Sequence, residues 1–306
     1  MLDHPAATEV KLLVAPCFGD GLAWRAWYAG RMSPRHALWM TTDTGYTPSA
    51  PEWTYHVVGW NQMPRDVPPA AIERVVLCDL SMDAPMPKVL RELPNVLSLS
   101  TDAHLLGFTP ADLPQLAELH IGGTSELTLP AGPWPRLTSV EARDAVVSVA
   151  DASHFPVLER LIVRTKGTKK VFAEIAKIAS LRELQIGPVQ DAAALTPFEV
   201  LPLRALSFNR GSLATLAPVV RFGGLTTFGA MNCHAFTDLA PLANIPSLAE
   251  VWFNTCAGIK KAEALVDLPK LARVKFWGCR DNGGALKKAC KKLMARGVTV
   301  ETELFA

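Results

Sequence analysis

No segment of this chain reaches 18 consecutive apolar residues, so no membrane-spanning helix is expected. No basic stretch leads into an apolar core over residues 1–14, where Asp3 and Glu9 stand, so this start does not read as a signal peptide. The six cysteines, Cys17, Cys78, Cys233, Cys256, Cys279 and Cys290, form no C-x-x-C pair. That spacing argues against a zinc ribbon or a redox dithiol, and a reducing, cytoplasmic compartment is the simplest setting. The formal net charge is only +2, so no general attraction to nucleic acid is implied. H-E-x-x-H, G-x-S-x-G, P-loop and kinase phrases are all missing, and the seven histidines are scattered. No catalytic residue, metal site or cofactor is therefore expected.

What the chain does have is one apolar phrase, L-x-x-L-x-L or a near variant, in ten copies. They begin at Ile72, Val96, Leu116, Leu137, Leu158, Leu181, Leu203, Leu225, Leu248 and Leu271, 20 to 24 residues apart. Self-similarity at that period marks a solenoid, in which each repeat packs on its neighbours and none buries its apolar face alone. Within a phrase the last two apolar positions alternate with polar ones, as in Leu119 and Ile121 or Leu161 and Val163. That suits a short strand with one buried face. Roughly 13 to 17 residues remain for each crossover between parallel strands, few for a helix with two loops. Single turns and 3₁₀ pieces are expected there. Over Lys169–Ser180 the spacing of Val171, Ile175 and Ile178 instead predicts a helix.

The copy Asp238-Leu-Ala-Pro-Leu-Ala-Asn-Ile-Pro-Ser-Leu-Ala-Glu-Val-Trp-Phe-Asn-Thr-Cys256 resembles the leucine-rich repeats of bacterial internalin-like proteins, and so do the phrases from Leu113, Phe155 and Leu268. The resemblance covers about residues 72–300. It implies an α/β solenoid: a parallel sheet on the concave face, a convex side of short 3₁₀ and helical pieces, and closed ends. Residues 68–284 are read as this solenoid and residues 1–67 as a β-rich, Trp-rich N-terminal cap domain. Residues 1–65 hold no repeat but five of the eight Trp. Strands are expected there at Lys11–Phe18, Leu22–Tyr28, Ala37–Thr42 and Tyr55–Trp60, with a hairpin turn at Phe18–Gly21. Residues 285–306 are read as a C-terminal capping helix and strand. That helix should bury Leu286, Ala289, Cys290, Leu293 and Met294 and turn Lys287, Lys288, Lys291 and Lys292 to solvent. A final strand is expected at Val298–Val300.

Cys233, Cys256 and Cys279 are each the ninth residue of a repeat, where the resemblance implies an inward-pointing Asn or Cys. They are expected to be reduced, buried and free of metal. The resemblance also implies that the concave face stays open. Its side chains are then the third, fifth and seventh residues of each phrase. The candidate partner-binding residues on it are Trp252, Trp277, Met231, Asn254, Arg273, Lys275, Arg143, Arg160, Arg164, Glu118 and Glu141. Trp and Arg together are the usual composition of an interface hot spot. Trp252 and Trp277, on adjacent strands, are expected to form one aromatic platform, flanked by Arg273 and Lys275 facing an acidic partner rim.

These features point to a non-catalytic protein-interaction module of the adaptor, effector or toxin-immunity type. Its expected partner is another protein, such as a toxin or a signalling protein, with no small-molecule substrate. One alternative is an enzyme with its active site in the N-terminal domain and the repeats selecting substrate. Another uses the basic C-terminus, where residues 259–298 hold eleven Lys and Arg against three Asp and Glu, on nucleic acid or an anionic membrane. Neither target is favoured, because a solvated outer helix face explains these lysines and no aromatics are interleaved with them.

Overall fold

A computed structural model describes residues 35–41, 53–59, 61–78, 86–102, 106–123, 125–235, 238–281 and 283–305. The chain divides into residues 1–33 and residues 34–306, and every described residue lies in the second unit. The strands expected at Lys11–Phe18 and Leu22–Tyr28, the turn between them, and Cys17 lie outside the described residues.

Among the described residues, fourteen strands form one sheet. They are β1 (Arg35–Thr41), β2 (Trp53–Gly59), β3 (Ile72–Cys78), β4 (Ser98–Asp102), β5 (Glu118–Gly122), β6 (Glu126–Thr128) and β7 (Ser139–Ser148). The rest are β8 (Arg160–Arg164), β9 (Glu183–Ile186), β10 (Ala205–Asn209), β11 (Thr227–Met231), β12 (Glu250–Asn254), β13 (Arg273–Trp277) and β14 (Thr299–Thr302). From β14 down to β7, then through β5, β4 and β3, neighbours in the sheet follow chain order; β1 and β2 complete the far end, and β6 pairs with β7 alone. Every pairing is parallel.

The register follows the repeat. The fourth residue of each phrase stands opposite the fourth of the next, in a column Val75, Leu99, Leu119, Val140, Leu161, Leu184, Leu206, Phe228, Val251 and Val274. All ten are buried, since a one-residue slip on any strand would turn its apolar set to solvent. Strand entry repeats as well. Ala272 and Arg273 both donate their N–H to the Ala249 carbonyl, and Ala249 and Glu250 both to that of Thr226. The same sharing recurs back to Ala117 and Glu118 on Leu97.

Toward the C-terminal end the core is aromatic. Phe208, Phe228, Phe253 and Phe276 stack edgewise or face to face with centroids 5.6, 6.2 and 5.7 Å apart. Phe228 stands two positions earlier in its repeat phrase than the other three, on the same buried face. Ala230 takes the later place there, so the bulk is exchanged between adjacent columns and the volume is kept.

The crossovers are mostly short 3₁₀ segments, at Lys88–Glu92, Ala152–His154, Ala192–Val200, Ala217–Arg221, Ala240–Asn244 and Ala262–Asp267. Asp151, Asp191 and Asp238 each accept from a backbone N–H at the start of such a turn. The helix expected over Lys169–Ser180 is shorter, α1 at Lys169–Ile175, capped by Thr168 Oγ1 accepting from Val171 N at 3.3 Å. Ile175 and Ile178 are buried as the spacing predicts, with Ile178 in the turn after the helix.

The irregular stretch is β5 to β7. The first half of β7 pairs with β5 and its last three residues with β6, and its pairing with β8 is shifted between Ala142 and Val146. At the other end, β1 and β2 lie close to the strands expected at Ala37–Thr42 and Tyr55–Trp60. They continue the sheet in parallel beyond β3, so it runs through the boundary expected at residue 67. The C-terminal helix is α2 (Ala285–Ala295), with Leu286, Ala289, Cys290 and Leu293 buried. Met294 departs from the expectation: it is 44% exposed, because it sits on the far edge of the helix beside Lys287 and Lys291. The final strand begins and ends a little later than expected, at Thr299–Thr302.

Candidate protein-binding face

The third, fifth and seventh residues of the phrases stand opposite one another in three columns on the face of the sheet away from the leucine columns. At the C-terminal end the register sets Glu250 beside Arg273, Gly229 beside Trp252, Trp252 beside Lys275, and Asn254 between Met231 and Trp277. Six candidate residues, Met231, Trp252, Asn254, Arg273, Lys275 and Trp277, thus come together on three adjacent strands. Glu118, Glu141 and Arg160 gather on β5, β7 and β8. Strands β9 and β10 intervene, so the candidates fall into two groups about 14 Å apart rather than one surface. Arg143 lies in β7, and its side chain is outside the described residues.

The two Trp differ in setting. Trp252 is half-buried, and its indole lies against Gly229 on the neighbouring strand. A Cβ placed on Gly229 would stand 1.9 Å from Trp252 Cε2, so the missing side chain is what seats the ring. Trp252 therefore leans toward β11. Trp277 is 37% exposed, with the Lys275 ammonium 5.6 Å from its ring centroid. That distance is within cation–π range and braces the ring without covering it.

The charges on this face mostly answer one another. Arg160 reaches Glu141 at 3.1 Å on one side and Glu183 at 3.2 Å on the other. Burial works against the Arg160 charge, but Glu183 and Glu141 outweigh it, so its pKa rises. Arg164 donates to the Asp144 carbonyl at 2.9 Å. Glu118 lies 3.8 Å from the buried His120. Around Trp277, Arg273 and Lys275 each stand between Glu250 and Glu301, at 3.6 to 3.9 Å. Two cations among two anions leave no excess charge, which removes the reason for expecting an acidic partner rim. Gly229, Glu183 and Glu250 are open-face positions by the same count, whereas sequence reasoning missed Glu301. Their signal is the register: each lies one repeat from the residue it serves.

Beyond the strands a tight turn repeats. Arg210, Asn232, Thr255 and Gly278, the eighth residues, all have positive φ, between 51° and 60°. The N–H of Arg210, Asn232 and Thr255 donates to the seventh residue of the next repeat, at Met231, Asn254 and Trp277. The ninth residues Cys233, Cys256 and Cys279 come next, as free, buried thiols. Their Sγ atoms donate to the carbonyls of Met231, Asn254 and Trp277 at 3.4 Å. Cys256 and Cys279 also reach Ala230 and Phe253 in the preceding repeat, at 3.5 and 3.6 Å. Among the described residues no group of three or more His, Cys, Asp or Glu is placed to hold a metal ion.

Parallel strands in repeat register, 3₁₀ crossovers and a column of cysteines in the turn decide the architecture. The fold is a leucine-rich repeat. No protein-family model matches the chain, and no curated protein matches it significantly in sequence. Among solved structures it is similar to internalin C2 of Listeria monocytogenes, with 19% identity over 64% of this chain and 84% of that one, at a TM-score of 0.40. A second internalin of that organism, inlF, shows 16% identity over 76% and 75%, at 0.44. A leucine-rich repeat protein of Leptospira interrogans shows 12% over 76% and 84%, at 0.28. The assignment of the leucine-rich repeat rests on the register of the sheet itself. No helix among the described residues is long and apolar enough to cross a membrane.

Proposed function

We propose that this chain is a non-catalytic module that binds another protein on the open face of its leucine-rich repeat sheet. The contact is centred on Trp277, with Asn254 and Met231 beside it in the same column. Trp252 acts as a buttress, packed on Gly229. The supporting observation is the Trp277 ring: a large aromatic side chain left open to solvent and braced by Lys275, on a face whose charges are matched internally. Exposed aromatics of this kind dominate binding energy at protein interfaces. Arg160, Arg164, Glu141 and Glu118 form a second contact zone that orients the partner. Arg143 belongs with it by its place in β7.

An adaptor, an effector or an immunity protein acting in the cytoplasm fits this reading, with a toxin or a signalling protein as the partner. The matched charges make the binding weakly salt-dependent, in contrast to an electrostatic contact.

The test is affinity capture from the native cell, followed by measurement of the captured protein's affinity for wild type, Trp277→Ala and Trp252→Ala. Trp277→Ala should lose about 2 kcal/mol or more, roughly a 30-fold weaker Kd, at unchanged melting temperature. Full affinity in the Trp277→Ala protein would overturn the assignment.

A further inference from the structure

We propose that the lysine face of α2 docks the protein onto an anionic lipid surface, independently of the open face of the sheet. The basic character of residues 259–298 is plain in the sequence, where a solvated helix face is a sufficient account of it. Four of the other seven cations in this segment are held by partners. Lys261 is paired with Asp238. Arg273 and Lys275 lie between Glu250 and Glu301. Arg296 donates to the carbonyls of Val266, Leu268 and Leu271, where it closes the last 3₁₀ turn. Asp281, the acid nearest α2 in sequence, accepts from the backbone N–H of Leu286 and Lys287 and so caps the helix. Lys287, Lys288, Lys291 and Lys292 are exposed, and among the described residues no carboxylate pairs with them.

Helical spacing sets these four in two adjacent rows, 287 with 291 and 288 with 292, about 6 Å apart along each row. The opposite face, Leu286, Ala289, Cys290 and Leu293, is locked into the core, so the rows cannot turn inward. The packing of the opposite face thus holds the four lysines toward solvent.

Three features select lipid headgroups over other anions. All four residues are Lys, a strongly hydrated point charge, whereas protein interfaces deplete Lys and nucleic-acid recognition favours the bidentate Arg. No aromatic is interleaved to stack bases. Met294, 44% exposed, sits at the edge of the same face, one turn from Lys291 and two from Lys287. An apolar side chain among surface lysines suits the boundary between headgroups and acyl chains.

Each lysine at an anionic surface is worth roughly a fivefold gain in partition, so four together give several-hundred-fold. The test is sedimentation with vesicles of pure phosphatidylcholine and with vesicles containing a quarter phosphatidylserine, at low and high salt. Wild type should bind the anionic vesicles only, and salt should release it. Lys288→Gln/Lys292→Gln should bind roughly 25-fold more weakly at unchanged melting temperature. Lys169→Gln/Lys170→Gln removes the same net charge from exposed positions elsewhere and should bind like wild type. Equal sedimentation with both vesicle types would overturn the proposal, as would an equal loss in the two double variants. Binding of duplex DNA or a polyglutamate peptide, but not of the anionic vesicles, would overturn it in favour of a different anion. The Trp277→Ala protein should keep full vesicle binding, so failure at one surface is distinct from failure at the other.

Discussion

The indole of Trp252 occupies the place where a side chain on Gly229 would stand, one strand away and opposite in register. A solvent-facing strand position thus has a packing role, and the two residues are energetically one unit. Gly229→Ala should displace the ring and cost about 1–3 kcal/mol. In Trp252→Ala the same substitution should be nearly neutral. Thermal unfolding of the four proteins closes the cycle, and a coupling of about 0.5–3 kcal/mol is expected. Additive effects would show that the ring does not rest on Gly229.

A second glycine should be far less forgiving. A Cβ on Gly187 would lie 1.7 Å from the main-chain oxygen of Asn209, and a backbone atom cannot swing aside as a side chain can. Gly187→Ala should lose about 3 kcal/mol or fail to fold. Gly223 has nothing within 4 Å of an added Cβ. There the same change should be neutral or gain about 0.5 kcal/mol through the unfolded chain. Denaturant midpoints of the two variants check the contrast.

Thr255 is a β-branched residue at φ 51°, a backbone region where such side chains are strained. Asn232 holds the equivalent place one repeat earlier, at φ 54°. Thr255→Asn should therefore raise stability by about 1 kcal/mol, seen as a higher melting temperature. A lower melting temperature would mean that the Thr255 hydroxyl, which donates to Asn254 Oδ1 at 2.8 Å, outweighs the strain.

Burial pushes the Cys256 thiol up to about 12, and burial likewise raises those of Cys233 and Cys279. An unfolded thiol ionises near its ordinary value of 9.0, the folded one later. The folded state therefore holds protons that the unfolded state releases. Stability from Cys256 is intact below about pH 9 and declines as pH rises toward 12. The melting temperature of Cys256→Ala should fall less than that of wild type across that window. Near pH 8, a thiol reagent should modify the buried column slowly in the folded protein and rapidly in denaturant.

Much of the fold is legible in the sequence because one period governs it. Val75 to Val274 align wherever the phrase is counted, even at Leu99, Val140 and Leu161, where the surrounding repeats depart from the common pattern. The short β6 and the long β7 are not legible, because their spacing breaks that period. Trp252 and Trp277 are recognisable as open-face residues, but their orientations depend on a bare Gly229 and on Lys275. Each of those matters only through register. The pairing of Arg273 and Lys275 with Glu250 and Glu301 is hidden for the same reason: residues a whole repeat apart look unrelated until the strands are laid side by side.

The turn after each strand carries a consequence for how such a chain changes length. Asn232 and Thr255 have the same backbone conformation, and each precedes a cysteine bonded to the carbonyl just before that turn. Excising residues 233–255 would join Asn232 to Cys256 and return the chain to the same place one strand earlier. Every column would close up without a gap, and duplication of the segment would insert a strand as smoothly. These turns are natural splice points, at which the molecule can gain or lose a whole repeat, and with it part of its binding face, while both ends stay as they are.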